Sequence, residues 1–212
     1  MQFIDLYNFC RTEIERNIKA HGKSIVVFKS VKEEVESRID WIGGINLYPV
    51  EFKPDDPFGH YELYCEREDR WDDPETWVAL ITYRHNLNDC ASRLVWFKEI
   101  MHVFDGPEAE TNSAEKYMTL MSEIENRPIS PSGAYLSELN ATWMALLALC
   151  PKEFRDDAVA RLKANKVTEY EVALEFRIPE SVVSALRSDQ YDQAYATLVQ
   201  SSEKRDDSKS HD

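Results

Sequence analysis

The spacing of apolar residues predicts helices at the start of the chain. Residues 2–20 carry apolar side chains at three- and four-residue steps, which is typical of an amphipathic helix. His21-Gly22 follows, and a glycine at that point predicts the C-cap of the helix. A second helical pattern carries Val31, Val35, Ile39 and Ile42 on one face and is predicted to end at Gly43-Gly44.

The hydrophobic period then changes from that of a helix to that of strands. Residues 45–52, 61–65 and 77–83 are short runs rich in β-branched and aromatic side chains. Segments that combine proline with aspartate separate them and predict turns. The pattern therefore predicts three strands, and we expect a small antiparallel sheet with one covered face.

From Asn88 onward the pattern predicts only helices. The first spans Asn88 to Phe104 with Asn88 as its N-cap, and the second spans residues 113–125. The third, Gly133 to Leu149, is apolar around most of its circumference and is predicted to be buried. We expect three short helices in residues 152–191 and a disordered tail at 201–212, which is polar and without periodicity.

Composition and charge narrow the functional classes. The 212 residues, 43% of them hydrophobic, are enough to bury a core. The net charge of −14 repels phosphate backbones, which counts against nucleic acid and favours a basic or neutral partner. The four cysteines are scattered, and neither a secretory signal nor a membrane-spanning run is evident. We therefore expect a reduced, cytoplasmic protein without membrane contact.

The predicted helix from Asn88 carries the candidate chemistry. Its residues Lys98, Glu99 and His102 occupy the positions of the zinc motif H-E-x-x-H. In that motif two histidines four residues apart face one ion, and the glutamate accepts a proton from the metal-bound water. His102 holds the second ligand position and Glu99 the general-base position. Lys98 holds the first ligand position, and a protonated ammonium has no lone pair for a metal.

The flanks of this motif resemble ImmA/IrrE-type zinc metallopeptidases. The run from Val78 to Arg84, then Asn88, then Arg93 to His102 is similar to the strand, turn and helix of that family. Residues 138–151 resemble its later ligand-bearing helix, and residues 167–186 resemble its helix–turn–helix-like close. The resemblance implies a zincin-like α+β fold. It divides the chain into a peptidase-type domain (1–151) and a helix–turn–helix-like subdomain (152–200).

The resemblance also implies that the zinc site is degenerate. It aligns the third ligand with Asn140, whose neutral carbonyl is a poor substitute for a carboxylate. Glu138, two residues earlier, is expected to point about 200° around the helix and not to replace it. We predict that the Lys98 ammonium stands in place of the metal, balanced by Glu99 and hydrogen-bonded by Asn140 and His102. No metal or other cofactor is expected, and Glu99 is vestigial as a base.

The predicted function is therefore protein binding by a peptidase-like domain without zinc or hydrolysis. The relatives that the resemblance implies cleave helix–turn–helix repressors in phage, mobile-element or stress circuits, so such a repressor or an antitoxin-like regulator is the expected partner. One alternative is an active zinc peptidase that uses Glu99, His102 and further ligands from His60, His85 or Glu138. Another is a DNA-binding regulator, although the predicted recognition helix offers only Arg187 as a basic residue. Arg93 is predicted to be structural.

Overall fold

The computed structural model of the chain describes residues 1–53, 58–66, 76–105, 114–126 and 130–200. The fold is α+β, with a small three-stranded sheet and helices before and after it. The strands are β1 (Ile42–Val50), β2 (Gly59–Glu66) and β3 (Thr76–Arg84). The helices are α1 (Phe3–His21), α2 (Phe28–Arg38), α3 (Asp89–Ile100), α4 (Ala114–Asn126), α5 (Gly133–Leu149), α6 (Lys152–Lys163), α7 (Glu169–Phe176), α8 (Val183–Leu186) and α9 (Asp189–Tyr195).

Helix α1 ends where the sequence predicts, whereas α2 ends earlier than predicted. Gly22 adopts a left-handed conformation (φ 65°), and its amide donates to the Ile18 carbonyl, which confirms the predicted cap of α1. The prediction that α2 continues to Gly43 is wrong, because α2 ends at Arg38 and Ile42 begins β1. Ile42 pairs with Trp77 of β3, and this long-range pairing outweighs the local helical period.

The sheet is mixed, so the prediction of an antiparallel sheet is wrong. Its order is β1-β3-β2, with β1 parallel and β2 antiparallel to the central β3. Val78, Ala79 and Ile81 are buried although they alternate between the two faces, as expected of a central strand. An apolar run indicates such a strand, but it does not indicate which neighbours pair with it or in which direction.

The free edge of β1 is covered by a side chain of α2. Glu36 Oε1 accepts a hydrogen bond from the Ile45 amide at 2.7 Å. The same oxygen lies 2.6 Å from Lys32 Nζ, which holds the carboxylate in place. This contact satisfies one backbone donor that an edge strand otherwise leaves open. In the part of the sheet that the structure describes, β2 forms the opposite edge.

Helix α3 lies against the sheet close to β2. Asn88 accepts a hydrogen bond from the Ala91 amide at 2.9 Å, which confirms the predicted N-cap. The α-helix ends at Ile100 and continues as a 3-10 turn, Met101–Phe104. A Cβ atom added to Gly59 would lie only 2.4 Å from Val95 Cγ1. The absence of a side chain at Gly59 therefore allows β2 to approach α3.

Helix α5 has the predicted bounds and packs against α1, α3 and α4. Ser132 caps it by accepting a hydrogen bond from the Tyr135 amide. The prediction that the whole helix is buried is confirmed for its second half, including Ala145 and Leu147, but it is wrong for the first half, where Leu136 and Leu139 are each 44% exposed. The helix therefore connects the N-terminal helix to the helix that carries the candidate chemistry.

The C-terminal helices join the same core. Buried residues of α7 and α9 belong to one apolar cluster with those of α1 and α5. The Tyr191 hydroxyl donates to the Cys150 carbonyl at 2.6 Å, and the Arg155 guanidinium stacks on the Tyr191 ring. The predicted domain boundary falls at Pro151, between α5 and α6, and stays a prediction. The predicted disordered tail, 201–212, lies outside the described residues.

None of the helices in the described ranges combines the length and the apolar character that crossing a membrane requires.

Candidate functional site

Helices α3 and α5 bring one ammonium and two carboxylates together beside β2. Lys98 Nζ lies 3.0 Å from Glu99 Oε1 and 2.5 Å from Glu138 Oε2. The Glu99 side chain is 2% exposed, whereas those of Lys98 and Glu138 are 22% and 30% exposed. Burial by itself would lower the pKa of Lys98, but Glu99 and Glu138 outweigh it and raise that pKa above its ordinary value. Lys98 is therefore a cation at neutral pH.

A second set of contacts orients His102 toward the same place. Its Nδ1 lies 2.7 Å from Asp105 Oδ2, and the Ser137 hydroxyl donates to that same oxygen at 2.6 Å. Because Asp105 can only accept when ionised, His102 donates from Nδ1 and directs Nε2 into the site. Nε2 lies 3.5 Å from Glu138 Oε1 and 3.8 Å from Glu99 Oε2. Metal-binding histidines are commonly held by a carboxylate in this manner.

The prediction that Asn140 hydrogen-bonds Lys98 is wrong. Asn140 is exposed on α5, and Glu138 is the α5 side chain that reaches the ammonium. The expectation that Glu138 points away from the site is wrong for the same reason. Helix α5 buries the face that carries Ser137 and Ala141, which sets the orientation of Glu138. Because α5 is apolar around most of its circumference, its sequence pattern does not show which face turns toward the core.

This correction changes the chemistry of the site. Glu138 brings a carboxylate to the place where the resemblance, through Asn140, implied a neutral amide. Lys98, His102 and Glu138 meet here, and His102 and Glu138 are residue types that can bind zinc. Lys98 is the member of this group that has no lone pair for a metal while it is protonated.

Three other candidate residues lie away from this group. His60 is exposed on β2, and strand alternation places it on the opposite face from Tyr61. The ring nitrogen Nδ1 of His85 lies 3.3 Å from the Val50 carbonyl, beyond the end of β3. Arg93 donates to the Val26 carbonyl and stacks on Phe97, and burial lowers its pKa to about 10. The structure therefore does not bring His60, His85 or Arg93 to Lys98.

Sequence reasoning missed four residues that shape the site. Asp105 and Ser137 orient His102, and Gly59 lies against Glu99, whose Oε1 would be 2.8 Å from an added Cβ. The Tyr61 ring packs at 5.7 Å from that of His102, and burial raises the pKa of its hydroxyl. Asp105 offered a local signal, since it follows His102 by three residues. The other three come from distant segments and have no signal in the sequence.

The region that the sequence predicts to be helix–turn–helix-like contains only a short segment at the position of the recognition helix. The segment predicted as a recognition helix, 179–188, consists of a 3-10 turn (Glu180–Val182) and the four-residue α8. Its basic residue, Arg187, forms an ion pair of 2.7 Å with Glu169. This guanidinium is thus already engaged by a carboxylate of α7.

Within the described part of the chain, no group of three or more histidine, cysteine, aspartate or glutamate side chains is arranged to hold a metal ion. Glu99 and Glu138 instead pair with the Lys98 ammonium. The arrangement can hold a positive charge permanently between two helices. It also leaves partly exposed carboxylates at the mouth of the site.

Comparison with known proteins found no family model, curated protein or solved structure that matches the chain.

Proposed function

We propose that the chain is a degenerate member of the ImmA/IrrE-type metallopeptidases, with a zincin-like fold, that has lost zinc and hydrolysis and acts by binding another protein. The observation that carries this proposal is the ion-paired position of Lys98 between Glu99 and Glu138. An ammonium in that position supplies the positive charge that a metal would supply. It offers no open coordination position at which water could be activated.

The residues around Lys98 favour a site whose packing has been kept although its catalytic chemistry has been lost. Asp105 and Ser137 still hold His102, and Gly59 still allows β2 to pack on Glu99. A group buried as deeply as Glu99 needs a cation, and Lys98 provides one within the same helix. The polar centre of the fold is therefore retained without a cofactor.

The binding surface that we propose is the edge of β2 beside the Lys98 group. In the described sheet β2 is an edge strand, and an extended segment of a partner can add to such an edge through main-chain hydrogen bonds. Tyr61 of β2 packs against His102, so the strand and the site are continuous. A partner strand would therefore run past the Lys98 group.

The partner that we propose is a regulatory protein of the helix–turn–helix repressor or antitoxin-like type, in the cytoplasm. This rests on the family resemblance alone, by analogy with relatives that act in phage, mobile-element or stress circuits. The free state of all four cysteines agrees with a reducing compartment.

The substitution Lys98→His tests the proposal. It would place an imidazole four residues before His102, beside Glu138, and remove the internal cation. We expect purified wild-type protein to contain little zinc and the variant to bind about one zinc per chain, because two histidines and one carboxylate form a zinc site. Elemental analysis and a zinc titration measure this.

The matched control is Lys98→Gln, which removes the charge without adding a ligand and is expected to bind no zinc. Near-stoichiometric zinc in the wild-type protein would contradict the proposal. So would zinc-dependent cleavage of a repressor-type protein by the wild-type chain.

One observation favours an active zinc peptidase as a second candidate. Glu138 and Glu99 both lie close to His102 Nε2, and Glu99 would act as the base in such an enzyme. In that case Lys98 would have to leave both carboxylates when metal enters. A wild-type melting temperature that rises with added zinc would support this candidate, because only ligands bound by the folded state stabilise it.

A further inference from the structure

Strand β2 directs backbone hydrogen-bonding groups to the outer edge of the described sheet. The Arg84 amide of β3 donates to the Phe58 carbonyl at 2.9 Å, in the register that continues along the whole of β2. Backbone groups of successive residues in a strand point to opposite sides. The even-numbered residues of β2 therefore bond to β3, and the odd-numbered residues Gly59, Tyr61 and Leu63 direct their amides and carbonyls to the edge. None of the other described strands pairs with this side.

The side chains along this edge are accessible to another molecule. Phe58 is 57% exposed and Leu63 is 36% exposed, and both His60 and Glu62 are exposed. The Arg84 guanidinium lies 4.9 Å from the centre of the Phe58 ring, which holds this ring beside the sheet. An edge strand with open backbone groups and exposed apolar side chains is a surface that a further strand can cover.

We infer that the occupant of this edge is β2 of a second copy of the chain, in an antiparallel pair across a two-fold axis at Tyr61. In this register the Tyr61 amide of each copy donates to the Tyr61 carbonyl of the other. Gly59 of each copy exchanges hydrogen bonds with Leu63 of the other in the same way. Such a pair is isologous, so every contact away from the axis occurs twice, and the two described sheets join into one.

The side chains of β2 are complementary to themselves in this register. Residues directly opposite each other in an antiparallel pair lie on the same face of the sheet. His60 then lies opposite Glu62 of the second copy, and a ring N–H of the histidine can donate to that carboxylate. Phe58 lies opposite Tyr64 of the second copy, which forms a cross-strand aromatic pair. Both pairs occur twice because of the two-fold axis.

The neighbouring registers are less favourable. An axis at Glu62 would place the two Glu62 carboxylates directly opposite each other, where like charges destabilise the pair. An axis at Leu63 would leave Phe58 opposite a residue beyond the end of β2. The axis at Tyr61 therefore matches both the charged and the aromatic positions.

The net charge of −14 on each copy opposes association at long range, so we expect a weak dimer with a Kd of about 10–100 μM. Self-pairing is independent of the proposed function, although a second copy and a partner strand would compete for the same edge. Zinc in the wild-type protein would count against the proposed function and leave this pairing untouched.

Sedimentation equilibrium of the full chain measures the dimer, and amide hydrogen exchange followed by NMR locates it. At concentrations above the Kd we expect the amides of Gly59, Tyr61 and Leu63 to gain protection. The amides of His60 and Glu62 already bond to β3 and are expected to stay unchanged. A chain that is monomeric at about 1 mM would overturn the inference and leave the edge to a partner strand. A dimer in which other amides gain the protection would overturn it as well.

Charge variants test the register. His60→Glu places a carboxylate opposite Glu62 of the second copy, and Glu62→Lys places an ammonium opposite His60. Each variant is expected to raise the Kd about tenfold, because the altered pair occurs twice. Glu62→Lys also lowers the net negative charge, so a stronger dimer in this variant would indicate nonspecific association and overturn the inference.

An equimolar mixture of the two variants is expected to form the dimer again. In the mixed pair one carboxylate of the first variant faces the introduced lysine, and its other carboxylate faces His60 of the second variant. Failure of the mixture to associate more tightly than either variant alone would overturn the register.

The matched control is Asn46→Glu, which adds a negative charge to the same face of the sheet at an exposed position of β1, away from the edge. It is expected to change the Kd by less than about twofold. Circular dichroism checks that each variant is folded. A loss of association in the control equal to that in His60→Glu would show a general charge effect and overturn the inference.

Discussion

At the scale of single residues, Lys98 decides what the site is. Removing one partner of a buried ion pair destabilises a protein more than replacing both partners with apolar residues. The reason is that the remaining charge stays buried without a partner. Here the remaining charge would be Glu99, which is 2% exposed. A change at Lys98 therefore tests both the stability of the protein and the role of the ammonium.

We predict that Lys98→Met lowers the free energy of unfolding by on the order of 2–4 kcal/mol at pH 7. This loss of stability is smaller than that expected for a fully buried ion pair, because Lys98 is 22% exposed. Urea denaturation measures it, and Lys29→Met, in an exposed pair with Glu33 on α2, is the control that should change stability by less than about 0.5 kcal/mol.

The pH dependence of this difference follows from the raised pKa of Lys98. A raised folded-state pKa means that the stabilisation is fully present below the ordinary value of 10.5 and is lost as the pH rises through the folded-state value. The difference between wild type and Lys98→Met should therefore stay constant from neutral pH to about 10 and shrink above that. A difference that already shrinks between about pH 7 and 9 would contradict the assigned charge.

At the scale of elements, the site depends on how closely β2 approaches α3. Gly59 is the point of closest contact, since an added Cβ would meet Val95 Cγ1 at 2.4 Å and Glu99 Oε1 at 2.8 Å. These atoms belong to the helix that carries Lys98. The spacing of strand and helix therefore controls how β2 packs on the Lys98 group.

We predict that Gly59→Ala forces β2 away from α3 and lowers the free energy of unfolding by about 1–3 kcal/mol, as overpacking generally does. Chemical denaturation measures the loss. Gly44→Ala on β1 is the matched control, because its nearest neighbour, Glu36 Oε1, is 3.9 Å from the added Cβ and is expected to tolerate it.

The double variant Gly59→Ala with Val95→Ala tests whether a clash with Val95 causes the loss of stability. If the clash with Val95 is the cause, the two changes together should cost about 1 kcal/mol less than the sum of their separate effects. Additive effects would contradict that explanation.

At the scale of the whole molecule, one apolar cluster includes side chains from α1 to the end of the described chain. Polar contacts reinforce it where α5 meets the C-terminal helices. The Tyr7 hydroxyl accepts from the Lys152 amide at 3.1 Å, and the Tyr191 hydroxyl donates to the Cys150 carbonyl. The segment after Pro151 is thus bonded to the segment before it at more than one point.

We predict that Tyr191→Phe lowers the free energy of unfolding of the whole chain by about 1–2 kcal/mol, since it leaves the buried Cys150 carbonyl without its donor. Circular dichroism and tryptophan fluorescence should report the same transition. Fluorescence follows the five tryptophans of the chain, all of which lie before Pro151, so separate transitions by the two probes would contradict a shared core.

The sequence by itself determined the α+β class, the caps of α1 and α3, the bounds of α5, and the motif Lys98-Glu99-His102. These depend on contacts between residues a few positions apart, which the local pattern contains. It did not determine the end of α2, the mixed direction of the sheet or the inward face of α5. Only the tertiary structure decided that Glu138 rather than Asn140 reaches Lys98, and that Asp105, Ser137, Tyr61 and Gly59 complete the site. Strand partners and helix rotation depend on distant packing, which the local periodicity of a segment does not record.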